Sequence, residues 1–220
     1  MLLALDKFKG SLSAAEVATA LRAGMVSHCP DLPIDLHPVA DGGDGTIAAL
    51  TDDQARSVQV TVNGPTGAQV RSSYLSRGQV AVLELASTCG LSRLPDGVLA
   101  PMTSSTFGLG QLIRHAIIQG HRRLIVGVGG SASTDGGAGM LAALGAVIHT
   151  STEGIHWGAV GLESVTSVDL RPARELTDRV DLVFAADVTN PLLGRDGAAH
   201  VYGPHRGEVS AGSPRRDLAE

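Results

Sequence analysis

Four short segments of this chain combine side chains that handle anions, protons or metal ions with glycines that let a backbone approach a ligand. The first is Asp6-Lys7-Phe8-Lys9-Gly10-Ser11. Lys7 and Lys9 are the only lysines among 17 basic residues, and both fall in one loop. A lysine is a compact point charge suited to phosphate or carboxylate, and Gly10 and Ser11 would bring backbone N–H groups to the same anion. The second segment is Ala40-Asp41-Gly42-Gly43-Asp44-Gly45-Thr46. Its two carboxylates among glycines could hold Mg²⁺ or orient a substrate hydroxyl. The third runs from Gly127 through Gly129, Gly130, Ser131, Thr134, Asp135 and Gly136 to Gly137. A glycine- and hydroxyl-rich loop that opens a helix is an anion cradle. The fourth, Asp187-Val188-Thr189-Asn190-Pro191, places a carboxylate where a base or a metal ligand could stand.

Each segment also has a plainer reading: a solvated turn for the lysines, an Asp-Gly turn for the second, packing glycines for the third, an Asx turn for the fourth. Gly127, Gly129 and Ala132 fit a GxGxxA dinucleotide pattern, but the loop runs long before its helix and lacks the acidic residue expected further on. The hydroxyls of Thr103 to Thr106 could bond a polar substrate. There is no Gly-Lys dipeptide, and so no Walker A loop, no HExxH and no GxSxG.

The elements that must position these segments read as α/β. Leu2 to Leu5 is a buried strand. Ser13 with Glu16 forms a capping box that opens a helix to about Ser27. Ile34 to Val39 is a second strand, and the Asp-Gly loop after it leads into a short helix, Ile47 to Leu50. Near residues 52–57 the texture changes. Val58, Val60 and Val62 alternate with polar residues, and the stretches Ala68 to Leu75 and Gln79 to Leu85 complete a meander of antiparallel or mixed pairing. A helix over Thr103 to Gln119, a buried strand Leu124 to Val128, a helix Ala138 to Gly145, an extended Ala146 to His149 and a strand Val180 to Ala186 follow. Gly194 to Gly197 and Val201 to Pro204 read as loop and residues 208–220 as a disordered tail.

Composition sets the limits. The chain has 220 residues, a net charge of -5 and 43% hydrophobic residues, enough to bury a core. The acidic balance argues against nucleic acid as a partner. Nothing reads as a signal peptide or a membrane span. Two cysteines without metal or disulfide spacing point to a reducing cytoplasm.

Taken together and in this order, the segments resemble the type 1 glycerate kinase (glycerate 2-kinase) family. Asp6 to Ser13, Ala40 to Thr46, Thr106-Phe107-Gly108-Leu109-Gly110, Gly129 to Gly139, Asp187 to Leu192 and Tyr202-Gly203-Pro204 carry the likeness, from Met1 to about Gly207. The resemblance implies two α/β domains with mixed sheets and a site in the cleft between them. One is Rossmann-like, with residues 1–55 as its N-terminal part, and incomplete here; residues 56–207 form the second. Family members are longer and continue past the Tyr-Gly-Pro segment.

The implied activity is transfer of the γ-phosphoryl group of ATP, with Mg²⁺, to a hydroxyl of glycerate, at the 2-position. Lys7 and Lys9 would hold phosphate or the glycerate carboxylate. Asp41, Asp44 and Asp187 would place Mg²⁺ or accept the hydroxyl proton, with Asp44 and Asp187 as the metal ligands. Ser11, Gly42, Gly43, Thr106, Gly129, Gly130, Ser131, Thr134, Asp135, Gly136 and Asn190 would bind substrate or phosphate. Two other readings stand beside this one: a truncated, non-catalytic remnant that binds a small hydroxy acid, and a dinucleotide-binding oxidoreductase.

Overall fold

A computed structural model describes residues 1–6, 11–39, 42–43, 45–152 and 158–202. Lys7, Lys9, Asp41, Asp44, Gly203, Pro204 and the tail lie outside these residues. In chain order the elements are β1 (Leu2–Leu3), α1 (Ala14–His28), β2 (Asp35–Leu36), α2 (Thr46–Ala49), β3 (Arg56–Asn63), β4 (Gln69–Arg77), β5 (Val80–Glu84), α3 (Ala86–Cys89), α4 (Phe107–Ile118), β6 (Arg123–Gly127), α5 (Ala138–Ala143), β7 (Val147–Thr150), α6 (Ala159–Leu162), β8 (Val165–Asp169), α7 (Arg171–Thr177), β9 (Asp181–Ala185) and α8 (Ala198–Tyr202). The architecture is mixed α/β.

The capping box forms as the sequence predicts. Glu16 N–H donates to Ser13 Oγ, and the Glu16 carboxylate accepts from Ser13 N–H. These bonds to Ser13 hold the Glu16 carboxyl below its ordinary pKa. Helix α1 joins two parallel strands, β1 and β2. The backbone bonds between them continue past both strands, to Val39 N–H donating to Leu5 O.

The main sheet has the order β3-β4-β5-β6-β9. Its first three strands pair antiparallel; β5, β6 and β9 pair parallel. The composition of each strand explains its place. Strand β3 alternates valine with polar residues because one face is wet. Strands β5 and β6 are nearly all apolar because both of their faces are covered. Helix α4 packs Leu109, Leu112, Ile113 and Ala116 into a core with Tyr74, Leu83, Leu124 and Val126. A groove of about 420 Å³ along α1, lined by Leu21, Met25 and Leu32 among others, shares no residue with the glycine loops. Among the described residues no helix is long and apolar enough to cross a membrane.

Some expectations shift. The helix expected from Thr103 begins at Phe107, because Ser105 and Thr106 turn inward to bond Asp135. Residues 151–179, left without elements in the sequence reading, supply β8, paired antiparallel with β7, and the helices α6 and α7. Val201 and Tyr202, read as loop, belong instead to helix α8, which spans residues 198–202. It is stitched back by Ala198 N–H donating to Pro191 O and by Tyr202 Oη–H donating to Asn190 Oδ1.

Two predictions arise here. Alanine at a helix-interior glycine usually gains about 1 kcal/mol. Gly110→Ala will instead lose about 1–3 kcal/mol, because a Cβ at Gly110 would run into the Met140 backbone of α5. A fall in the urea midpoint checks it; a rise would mean α4 and α5 can separate freely. Separately, three hydrogen bonds from the Arg171 guanidinium, and one from its backbone N–H, hold the half-buried Asp169 carboxyl at a pKa of about 2, below its ordinary 3.8. A depressed folded pKa gives stability that is present above the unfolded value and lost as pH falls through the folded one. The window is therefore about pH 4 down to pH 2. Arg171→Ala should raise the Asp169 titration, followed by NMR, only part of the way to the usual carboxylate range, because the backbone N–H of residue 171 still donates to Oδ1.

Candidate functional site

Three of the four segments meet at one end of the main sheet. The carboxyl ends of parallel strands are where open α/β sheets hold ligands. Strands β5, β6 and β9 end side by side, with Glu84 opposite Gly127 and Gly127 opposite Ala185. The Asp-Gly segment crosses these ends. Gly129 N–H donates to Gly42 O at 3.1 Å, and Val128 N–H donates to Ala185 O at 3.1 Å. Gly42 has φ 84° and stands so close that a Cβ there would lie 2.8 Å from Ala185 O. Only glycine fits that conformation and that gap. Asp187 follows β9 by two residues and is exposed. It makes no hydrogen bond among the described residues, so its carboxylate faces solvent at the same edge.

The Gly127–Gly137 loop divides into two parts. Gly130 is exposed, with φ 72°. Beside it, Ser131 Oγ engages Ser133, and Ser131 bridges to Gly90. Leu91 N–H donates to Gly130 O and Ala132 N–H to Cys89 O, so the segment after β5 braces the loop. Burial pushes the Cys89 thiol up, which leaves it inert in this role. The second part turns inward. Thr134 Oγ1 donates to Pro101 O, while Gly136 stays exposed.

Asp135 is 2% exposed. Its Oδ2 accepts from Thr106 N–H and Thr106 Oγ1 at 2.8 Å each and from Gly139 N–H at 3.1 Å; its Oδ1 accepts from Gly137 N–H at 3.1 Å. One carboxylate thus caps α4 and α5 together, with Met140 N–H donating to Thr106 Oγ1 as a further tie. Backbone donors that the sequence offers to an anion at those two helix starts are taken up by Asp135. The part of the loop outside this node is Gly129 to Ser131, where Gly129 N–H is held by Gly42 O and Gly130 is exposed.

Asn190 is held within its own segment: Nδ2 donates to Asp196 O and Oδ1 accepts from Tyr202. Ser11 is exposed just before α1. The sequence reading passed over Glu84. It is 8% exposed at the end of β5, and its carboxylate accepts from Ile47 N–H. A charge closing the apolar run Val80 to Leu83 was the signal available. Among the described residues no three His, Cys, Asp or Glu groups gather where they could hold a metal ion. The donor set still suits Mg²⁺, which commonly takes one or two carboxylates and completes its shell with water and phosphate oxygens.

The dinucleotide pattern finds no support in this geometry. Gly127 and Gly129 are small because the 42–43 backbone lies against them, and Ala132 is buried. Glycine loops at the carboxyl ends of a partly parallel sheet, with the Asp187 carboxylate at the same edge, place the chain among mixed α/β proteins. The sequence profile of the glycerate kinase family matches residues 1–217, and the chain belongs to that family. It is 40% identical over 214 residues to the glycerate kinase of Bacillus subtilis (strain 168), and 36% identical over 215 residues to the glycerate 2-kinase of Escherichia coli (strain K12). Each alignment covers 96% of this chain and 56% of the relative, so the chain spans a little over half the length of these relatives. A crystal structure assigned as glycerate kinase 2 from Salmonella typhimurium LT2 superposes with a TM-score of 0.80 at 40% identity. It covers 96% of this chain and 58% of that one.

Proposed function

We propose that this chain transfers the γ-phosphoryl group of ATP to the 2-hydroxyl of glycerate. The observation that carries the reading is the meeting of the Gly42–Gly43 backbone, the Gly129–Ser131 loop and Asp187 at the ends of β5, β6 and β9. Phosphoryl transfer asks a protein mainly for positioning and charge neutralisation. Lys7 and Lys9 hold the transferring phosphate or the glycerate carboxylate. The exposed Gly130 backbone, with Ser131 beside it, faces phosphate oxygens. Asp41 or Asp187 accepts the proton of the attacking hydroxyl. Asp44 and Asp187 would hold Mg²⁺, which when bound offsets the charge of the triphosphate. Asp135 and Thr106 shape the loop from beneath, and Asn190 fixes the segment behind Asp187.

The test is ADP release by the purified chain with ATP, Mg²⁺ and D-glycerate, against a blank without glycerate. The expected result is glycerate-dependent release. A product esterified at C2 gives a ³¹P doublet from its single neighbouring proton; one esterified at C3 gives a triplet. A chain that melts cooperatively and releases no ADP overturns the catalytic reading and leaves a binder of small hydroxy acids.

A further inference from the structure

The Gly130–Ser131 turn is paired to a short extended stretch outside the main sheet. Leu85, just past β5, still bonds to β6, with Leu85 N–H donating to Gly127 O at 2.8 Å. The chain then makes one turn of helix, α3, in which Cys89 N–H donates to Leu85 O. It leaves that turn extended, with φ -78° and ψ 164° at Gly90, and enters a 3₁₀ turn over Leu91–Arg93. On this stretch Leu91 N–H donates to Gly130 O at 3.1 Å, and Ala132 N–H donates to Cys89 O at 2.9 Å. Gly90 and Ser131 stand between these two bonds as an antiparallel bridge. In such a pair the bonds belong to the flanking residues, and the pair's own N–H and C=O groups point away from the partner strand. Gly90 O accordingly accepts from Arg93 N–H on its far side. Ser131 N–H is turned outward in the same way. Among the described residues neither it nor Gly130 N–H makes a hydrogen bond. Gly90 is a glycine for lack of room, since its φ suits any residue. A Cβ there would run into Ala86 O and lie 2.7 Å from Ala86 Cα. The stretch is thus packed tightly on α3 while its edge holds the turn.

We propose that Cys89 to Leu91 form a strap that presents the Gly130 and Ser131 N–H groups, side by side, to one anion, with Gly90 and Leu91 as positioning residues. Consecutive N–H groups around a residue of positive φ form a concave donor site for an anion, and Gly130 has φ 72°. Gly130 is exposed, so a ligand can reach these donors. Donors serve an anion best when they are held in place before it arrives, and the two backbone bonds of the strap supply that hold. The inference deepens the proposed reaction, in which the anion is a phosphoryl group of ATP; the placing of the turn holds without it.

The experiment compares Leu91→Pro with Leu91→Ala. Both lose the leucine side chain, and only proline also loses the N–H that bonds Gly130 O. Proline fits there, because position 91 opens a 3₁₀ turn and Gly90 already has the extended conformation that a residue before proline prefers. Each protein is titrated with inorganic phosphate while the amide NMR signals of Gly130 and Ser131 are followed. In the wild type and in Leu91→Ala both signals should shift to saturation. In Leu91→Pro the Kd should rise about tenfold or more, the worth of hydrogen bonds to a charged group. Hydrogen exchange at the Ala132 amide should quicken by a similar factor. In the kinetic assay the ATP KM should rise with the glycerate KM little changed, a split that a mere loss of folded protein does not produce. Wild-type signals that stay put under phosphate overturn the proposal. So does a Leu91→Pro Kd within about twofold of that of Leu91→Ala, or a rise in the glycerate KM in place of the ATP KM. If Leu91→Pro does not fold, Gly90→Ala, which pushes the strap off Ala86, is judged against the wild type by the same criteria. A wild type that releases no ADP removes the proposed reaction, and the phosphate titration then decides the role of the strap alone.

Discussion

Asp135→Ala will lower the unfolding free energy by about 3–5 kcal/mol, among the larger effects of single substitutions. The carboxylate is buried and accepts from two amides and a hydroxyl at Oδ2 and from another amide at Oδ1. Its loss leaves the starts of α4 and α5 without their shared cap. Each buried donor left without a partner costs about 1–3 kcal/mol, and some relaxation of the helix ends returns part of that. For a chain of this size the midpoint of a circular-dichroism melt should fall by roughly 10 °C. Asp135→Asn is the informative companion. It keeps one oxygen but turns an amide N–H₂ toward groups that are themselves donors, so it should recover only part of the loss. If both variants melt within about 2 °C of the wild type, the node is not what joins the two helices.

Asp187→Asn should do the reverse. The side chain is exposed and makes no hydrogen bond among the described residues. Its amide analogue has nearly the same shape, so stability should change by less than about 0.5 kcal/mol. The charge, however, sits at the sheet edge where the proposed reaction gathers phosphate, cation and hydroxyl. Removing a charge aimed at a transition state typically lowers the rate by about 10²–10³-fold. Glycerate-dependent ADP release should fall by at least that lower figure with the melting curve unmoved. Lys9→Ala belongs in the same assay with the same expectation. Turnover within about twofold of the wild type, a change worth only about 0.4 kcal/mol of barrier, would take Asp187 out of the site.

The contrast between these two aspartates shows what the sequence could and could not tell. Both follow an apolar strand sequence and both sit beside small residues, so both read as site carboxylates. What separates them is direction. Asp135 points down to Thr106, 29 residues earlier, and a partner at that distance leaves no local trace in the chain. Glu84 was missed for a related reason, since its acceptor role depends on Ile47, 37 residues earlier. Elements with local rules were legible: Ser13 and Glu16 announced α1, the alternating valines announced β3, and the apolar runs announced β5, β6 and β9. Helix α7 and strand β8 were not, because their sequences are short, largely polar and only partly buried. Helix α8 was hidden for another reason: five residues cannot hold a helix without tertiary support, and its support comes from Pro191 and Asn190.

The parallel run β5-β6-β9 has a kinetic meaning as well. Its crossovers bring residues 84, 127 and 185 to one edge, and such long loops must close before their contacts return anything. The hairpin β3–β4 and the helices α1 and α4 can form from near neighbours. During refolding, helical and hairpin signals should therefore recover early. The edge that carries Glu84, Gly129 and Asp187 comes into being only when the last parallel strand docks. The candidate site should therefore form late in folding, and ligand binding there would report that the whole sheet has closed.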